Sequence, residues 1–223
     1  MQRAIAARFS WWIKRGCGMA FDFIHSVDTK AGRPAPACDI VSPNRDSAVP
    51  YDPAPWRSLR RSLQLASLRP DEFTFIDIGC GKGKVLLAAL ALPFKRIIGI
   101  EFSPFLCQIA RKNLASARLI RRRCAQIQVS CSDAVEYPIP NEPTIFFFYN
   151  PFTYDVMEIV LGNIVAAQLR TPCPRYLIFC AASSNIERIR VFLQKSSDNR
   201  ARLLVSSHLG RRSVYIFELL GRR

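Results

Sequence analysis

At 223 residues with 49% hydrophobic content, the chain is long and apolar enough to bury one real core, which excludes a disordered polymer. No apolar run reaches the length of a membrane span, and no repeat occurs; eight cysteines without a C-x-x-C pair, beside two histidines, point away from a zinc site or disulfide framework. A formal charge of +15 pulls towards polyanions: RNA, DNA, anionic lipid or an acidic protein.

Residues 1–20 carry Arg3, Arg8, Lys14 and Arg15, no acid, and an interleaved Trp11, Trp12 and Ile13. Three readings stay open: an organelle-targeting segment, a membrane-contacting amphipathic helix, or a helix packed on the domain. From Lys30 to Pro55 prolines recur without strong periodicity, so this stretch reads as an approach segment, not as a domain. Trp56, Leu59, Leu63 and Leu65 to Leu68 have helical spacing up to Arg69-Pro70.

Phe73 to Val85 then reads as a buried strand, a glycine turn and the start of a helix. Asp77 interrupts the apolar strand near its end, and Gly79, Gly81 and Gly83 permit tight backbone angles and close approach of a ligand. Such a turn suits a nucleotide-like ligand at the carboxyl end of a sheet. It is neither the dinucleotide fingerprint, which needs glycine at Lys84, nor the P-loop, which needs glycine at Ile76 and Ser or Thr at Gly83. Val85 to Leu92 is apolar all round, as a helix pressed on a sheet should be, and Pro93 closes it.

Arg96 to Glu101 reads as a second strand; an acid about twenty residues past the glycines commonly accepts hydrogen bonds from ribose hydroxyls. Ser103 caps a helix with Pro104 at its first position. Leu106, Ala110, Leu114 and Ala117 make its buried stripe, and Arg111, Lys112, Arg118 and Arg121 to Arg123 its basic face. These last three arginines are expected to meet an acidic partner, protein or RNA. Further strands are predicted at Ile127 to Ala134, Thr144 to Tyr149 (apolar on both faces, hence central) and Tyr176 to Ala181. Helices are predicted at Val156 to Leu169 and Ile186 to Leu193, and a hairpin from Leu203 to Ser207 and Val214 to Leu219. Cys80, Cys107, Cys131 and Cys180 fall in or beside these elements and read as small core hydrophobes in a reducing, cytoplasmic setting.

The D-x-G-x-G-x-G run from Asp77 to Gly83, in its strand-turn-helix setting, resembles motif I of the class I methyltransferases, which bind S-adenosylmethionine (SAM). The likeness spans residues 51 to 220. Phe21 to Thr29, Tyr51 to Trp56 and Asn150 to Phe152 also resemble elements of an uncharacterised, mainly bacterial branch of that superfamily. The Tyr-x-Pro element is similar to that of the lysine methyltransferases of ATP-synthase subunit c. The resemblance implies an α/β, Rossmann-like, seven-stranded, mostly parallel sheet with an antiparallel last strand. It implies an N-terminal extension over residues 1–50 and a methyltransferase domain over residues 51–223. It implies SAM as cofactor and no metal.

Carried over residue by residue, Asp77 and the amides of Gly79, Gly81 and Gly83 hold the methionine end, with Lys82 or Lys84 towards its carboxylate. Glu101 takes the ribose, Phe102 the adenine face, and Asp133 with Ala134 the adenine amino group; Tyr51 covers the cofactor. Asn150, Pro151 and Phe152 stand where amino-methylating enzymes carry N-P-P-Y, and Asn150 is expected to orient an acceptor nitrogen. The second proline is missing, which weakens the link to adenine or glutamine methylation. A protein lysine is the favoured acceptor; a nucleobase, a small molecule, or a non-catalytic SAM- or RNA-binding module are the alternatives. The segment from Phe21 to Tyr51 is expected to lie over the site as a lid.

Overall fold

The structure, a computed structural model, describes residues 22–31, 42–47, 49, 51–117, 119–181, 185–198, 200–209 and 212–221. The expectations for residues 1–20 lie outside the described residues.

Seven strands form one sheet: β1 (Thr74–Ile78), β2 (Arg96–Glu101), β3 (Ile127–Cys131), β4 (Thr144–Phe148), β5 (Arg175–Ala181), β6 (Ala201–Leu209) and β7 (Arg212–Leu219). Their order is β3-β2-β1-β4-β5-β7-β6. Pairings from β3 to β5 are parallel, and β7 runs antiparallel between β5 and β6. The chain is thus α/β with an antiparallel last strand, as expected. Helix α1 (Ser58–Leu65) leads into β1, and four helices connect strands: α2 (Lys84–Leu90), α3 (Pro104–Ser116), α4 (Tyr154–Arg170) and α5 (Ile186–Ser196).

Strand alternation divides the core into two layers. Phe75, Ile145 and Phe147 face α1 and α2, with Leu59, Leu63, Leu86 and Leu90 packed on them. Ile76, Ile78, Phe146 and Phe148 face α4 and α5, against Val160, Leu161, Ile164 and Leu193. Because helices cover both faces, β1 and β4 are buried at every position, which is why their sequence shows no polar alternation. Phe148 and Phe179 stack at 4.8 Å between ring centroids and tie β4 to β5. At the amino end of the sheet, the fully buried Arg175 donates to the carbonyls of Thr171 and Pro140, each at 2.8 Å, and to Gln168. One side chain so pins the end of α4 to the base of β5.

Several boundaries differ from the sequence expectation. The helix before β1 ends at Leu65, because Ser67 turns to a φ of +53° ahead of the extended Arg69-Pro70. The third helix, α3, is capped by the Ser103 side chain accepting from the amide of Leu106 at 3.3 Å. It stops at Ser116, so Arg121 to Arg123 belong to the connection into β3 and not to a helix face. Cys80, Cys107 and Cys180 are buried as expected, but Cys131 is exposed, because it closes the outermost parallel strand. Among the described residues no helix is long and apolar enough to cross a membrane.

Candidate functional site

Chain order reverses direction between β1 and its neighbours β2 and β4, which opens a crevice at the carboxyl ends of these strands. A cavity of about 280 Å³ fills it. The strand exits supply Asp77, Gly79, Gly81, Glu101, Phe102, Asp133 and Ala134, together with Tyr149, Asn150, Pro151 and Phe152. The segment ahead of the sheet supplies Asn44, Arg45, Asp46, Val49, Tyr51 and Asp52.

The glycine turn is shaped by what lies against it. Gly79 has φ +72°, and a Cβ there would stand 2.5 Å from the Pro151 side chain; at Gly81, φ +53°, it would stand 2.3 Å from the Tyr51 ring. Any larger residue would drive the β1 exit away from both partners. Gly83 does not line the cavity; it caps α2 and faces Ala110 of α3. Lys82 is also turned away, with its ammonium 2.9 Å from Asp28 and 5.9 Å from the Tyr51 ring centre. Of the two lysines considered for a carboxylate, Lys84 is the one on the cavity wall.

Glu101 is the hub. Its carboxylate accepts from the amide of Gly81 at 2.9 Å and from that of Ser103 at 3.0 Å, joining the glycine turn to the β2 exit. Burial pushes its acid upwards, and those amides oppose the push. Asp77 is buried close by; burial first, and then the charge of Glu101, raise it to about 8. Two buried acids thus lie side by side under the glycine turn.

Asp133 is placed differently from the expectation of a waiting adenine acceptor. One oxygen already accepts from Ser42 Oγ at 2.6 Å and Asn44 Nδ2 at 2.8 Å, and the other from the amide of Val135. Burial works to raise Asp133, but these hydrogen bonds outweigh it and hold the acid below its usual range. Tyr51 donates to the carbonyl of Thr29 at 3.0 Å, and burial pushes its phenol well up, keeping it a donor. Asn150 is exposed with φ +50°, a left-handed conformation that asparagine tolerates better than most residues.

The sequence reading missed Asn113. Its amide donates to the carbonyls of Lys82 and Asp28 and accepts from the amide of Asp28, clamping the N-terminal segment to the glycine turn. A polar residue inside the apolar stripe of Leu106, Ala110 and Leu114 was the available signal. Asp22 plays a matching local part, with its buried carboxylate accepting from the amide and hydroxyl of Thr29. Arg121 to Arg123 are not part of the cavity. The Arg123 amide donates to the carbonyl of Leu90, where α2 ends, so they lie at the amino end of the sheet, opposite the site.

Residues 75–165 match a family model described as a methyltransferase domain. Over these residues, somewhat less than half of its length, the chain is similar to methyltransferase domains. It is 32% identical over 101 residues to a ribosomal protein L11 methyltransferase of Colwellia psychrerythraea, covering 45% of this chain and 27% of that protein. It is 36% identical over 56 residues to a protein-lysine N-methyltransferase of Saccharolobus islandicus, covering 25% of this chain and 34% of that one. These matches therefore span about a quarter to a third of the curated relatives' length. An RNA methyltransferase from Salinibacter ruber in complex with S-adenosyl-L-homocysteine superposes with a TM-score of 0.52 at 20% identity, over 77% of this chain and 96% of that one. Magnesium protoporphyrin IX methyltransferase from Synechocystis with bound SAM gives 0.54 at 16% identity, over 75% and 78%. At these identities the likeness is one of fold.

The buried acid Asp77 makes the stability of the protein depend on pH. A carboxyl group raised on folding contributes stability at low pH that is lost as pH rises through its folded value. The ligand-free protein should lose stability on this account between about pH 4 and about pH 8, and Asp77→Asn should flatten that slope. Urea midpoints of both proteins across that range check this; equal slopes would remove Asp77 as the cause.

Proposed function

We propose that this domain transfers a methyl group from SAM to the side-chain nitrogen of a protein lysine. The observation that carries the reading is the charge of the cavity. In a chain of formal charge +15, the lining holds five acidic residues (Asp46, Asp52, Asp77, Glu101 and Asp133) against Arg45 and Lys84, and even with Asp77 protonated the acids outnumber the cations. Such a mouth draws in a cationic side chain and repels a phosphate backbone. The relatives named for ribosomal protein L11 and for protein lysine point the same way.

SAM supplies a methyl group already activated on a sulfonium, so the protein has to bind, align and exclude water. Asp77 and the turn at Gly79 and Gly81 would hold the cationic methionine end, with Lys84 towards its carboxylate and Gly83 supporting the turn from behind. Glu101 would take the ribose. Phe102, Ala134 and the remaining acceptor capacity of Asp133 would take the adenine, under the cover of Tyr51. A lysine attacks only as the neutral amine. Phe152, half-buried on the wall, lowers the local polarity and disfavours the ammonium form, while Asn150 accepts from the amine and aims its lone pair.

Labelled SAM incubated with the protein and a cell lysate tests the reading. Label that protease removes and that acid hydrolysis releases as methyl-lysine supports it. Nuclease-sensitive label would move the acceptor to a nucleobase, label in small molecules would move it there, and SAM binding without transfer would make this a binding module. Asn150→Gly keeps the left-handed turn and deletes the amide, so it should cut turnover about a hundred-fold while SAM affinity stays within about two-fold. Normal turnover in that variant would reduce Asn150 to a turn former.

Residues 1–50 serve, in this reading, as an extension whose Phe21 to Tyr51 part is a lid on the methyltransferase domain at residues 51–223. The support is the latch of Ser42 and Asn44 on Asp133, beside the cavity they line. SAM should slow tryptic cleavage after Arg45 about five-fold or more by stabilising the latched state. Equal rates with and without SAM would end the lid proposal.

Arg121, Arg122 and Arg123 lie opposite the cavity and dock, in this reading, an acidic segment of the protein that carries the acceptor. Charge reversal at the three should raise KM for the protein acceptor about ten-fold at low salt, with the difference vanishing at high salt, while a short lysine peptide is unaffected. An unchanged KM would leave them as solvated charges.

A further inference from the structure

Cys131 and Cys107 lie on either side of the backbone of Glu101. Cys131 ends β3 and pairs in register with Glu101 at the end of β2. Cys107, in the first turns of α3, donates its thiol to the Glu101 carbonyl at 3.2 Å. The Glu101 carbonyl also accepts from the amide of Ser132, the residue after Cys131, so it points at the end of β3 and brings the Cys107 thiol towards that strand. One is exposed and the other is fully buried. The guanidinium of Arg111 bonds the carbonyl of Val129 at 2.9 Å, two residues before Cys131 on the same strand. An exposed thiol with a second, buried thiol across one backbone segment is the arrangement of an oxidisable pair.

We infer that Cys131 and Cys107 form a reversible disulfide under peroxide, and that this bond loosens the cofactor site through Glu101. The inference rests on the SAM-site reading above only for its second half. The Cys131 thiolate attacks a peroxide oxygen, breaking the O–O bond and giving a sulfenic acid and hydroxide. The Cys107 sulfur then attacks the sulfenic sulfur, the S–S bond forms, and the second hydroxide leaves. The two thiol protons complete two waters, so hydrogen peroxide gains the two electrons that the sulfurs lose.

The consequence follows from what Cys107 gives up. In the reduced state the Glu101 carbonyl accepts from both the Cys107 thiol and the amide of Ser132. The disulfide removes the thiol donor and draws the start of α3 towards β3. Ser103, whose amide holds the Glu101 carboxylate, caps that same helix. The carboxylate that joins Gly81 to the β2 exit is therefore displaced with it. This couples the oxidation state of a surface thiol to the most buried part of the site.

Peptide mapping of the full chain after mild hydrogen peroxide treatment, paired with calorimetry of SAM binding, tests both halves. The expected result is a Cys107–Cys131 crosslink and a SAM affinity lowered about five-fold or more, both reversed by dithiothreitol. Cys131→Ser should bind SAM as the reduced wild type does and lose no affinity under peroxide. Oxidation of Cys131 to sulfinic acid with Cys107 still free would overturn the pair. A crosslink that leaves SAM affinity unchanged would overturn the coupling. If the reduced wild type bound no SAM at all, the cofactor reading would fall, and the crosslink alone would decide the pair.

Discussion

The site is organised around two carboxylates that the fold takes out of water. Asp77 ends β1, Glu101 ends β2, and the parallel register of these central strands brings both acids under one glycine turn. Glu101 offsets part of its burial by accepting from two backbone amides, which also fix the turn in position. Burial first, and then the neighbouring charge of Glu101, drive the Asp77 acid up to about 8. A protein with a large excess of lysine and arginine could have neutralised this pair with a side chain. It uses Lys82 to bind Asp28 on the outside of the turn instead. The acidic pair is thereby left facing the cavity.

The approach segment is part of the site architecture. Asn113 reads two carbonyls and an amide at once, so the position of Asp28 and the position of the glycine turn are set together. Tyr51 fills the space that a side chain at Gly81 would occupy and returns a hydrogen bond to Thr29. On the opposite wall Pro151 closes over Gly79 in the same way. The absence of Cβ atoms at two glycines is thus matched by two rings from distant parts of the chain. Further along, Ser42 and Asn44 hold Asp133, and the amide of Thr153 donates to the carbonyl of Ser47, so this segment touches both the β3 and the β4 exits.

Charge is distributed by pole. The carboxyl ends of the strands carry the acidic cavity, whereas the amino end carries Lys95, Arg96, Arg121 to Arg123 and the buried Arg175. Some of these cations are paired, as Arg96 is with Glu142, but the contrast between the ends remains. The net charge of such a chain therefore describes neither surface well. It belongs mostly to faces away from the cavity, where it governs long-range association, while local carboxylates govern what enters the crevice.

Much of this was legible in the sequence. The period of the apolar residues located β1, β2, β4 and β5 almost residue by residue, since strands covered on both faces leave unbroken apolar runs. The acid, the first two glycines and the second acid twenty residues on marked one wall of the cavity, because such residues sit at fixed offsets within a single βα unit. What lay outside local spacing was decided by packing alone. Lys82 and Lys84 are equivalent in sequence, yet the left-handed turn at Gly83 between them sends one to Asp28 and the other to the cavity. Asn113, the occupied state of Asp133 and the exposure of Cys131 depend on partners 31 to 91 residues away or on a position at the sheet's edge. A sequence determines which residues share a strand or a helix face, because neighbouring dihedrals repeat. Which distant side chain satisfies a buried polar atom is determined only when the elements have packed and water has left.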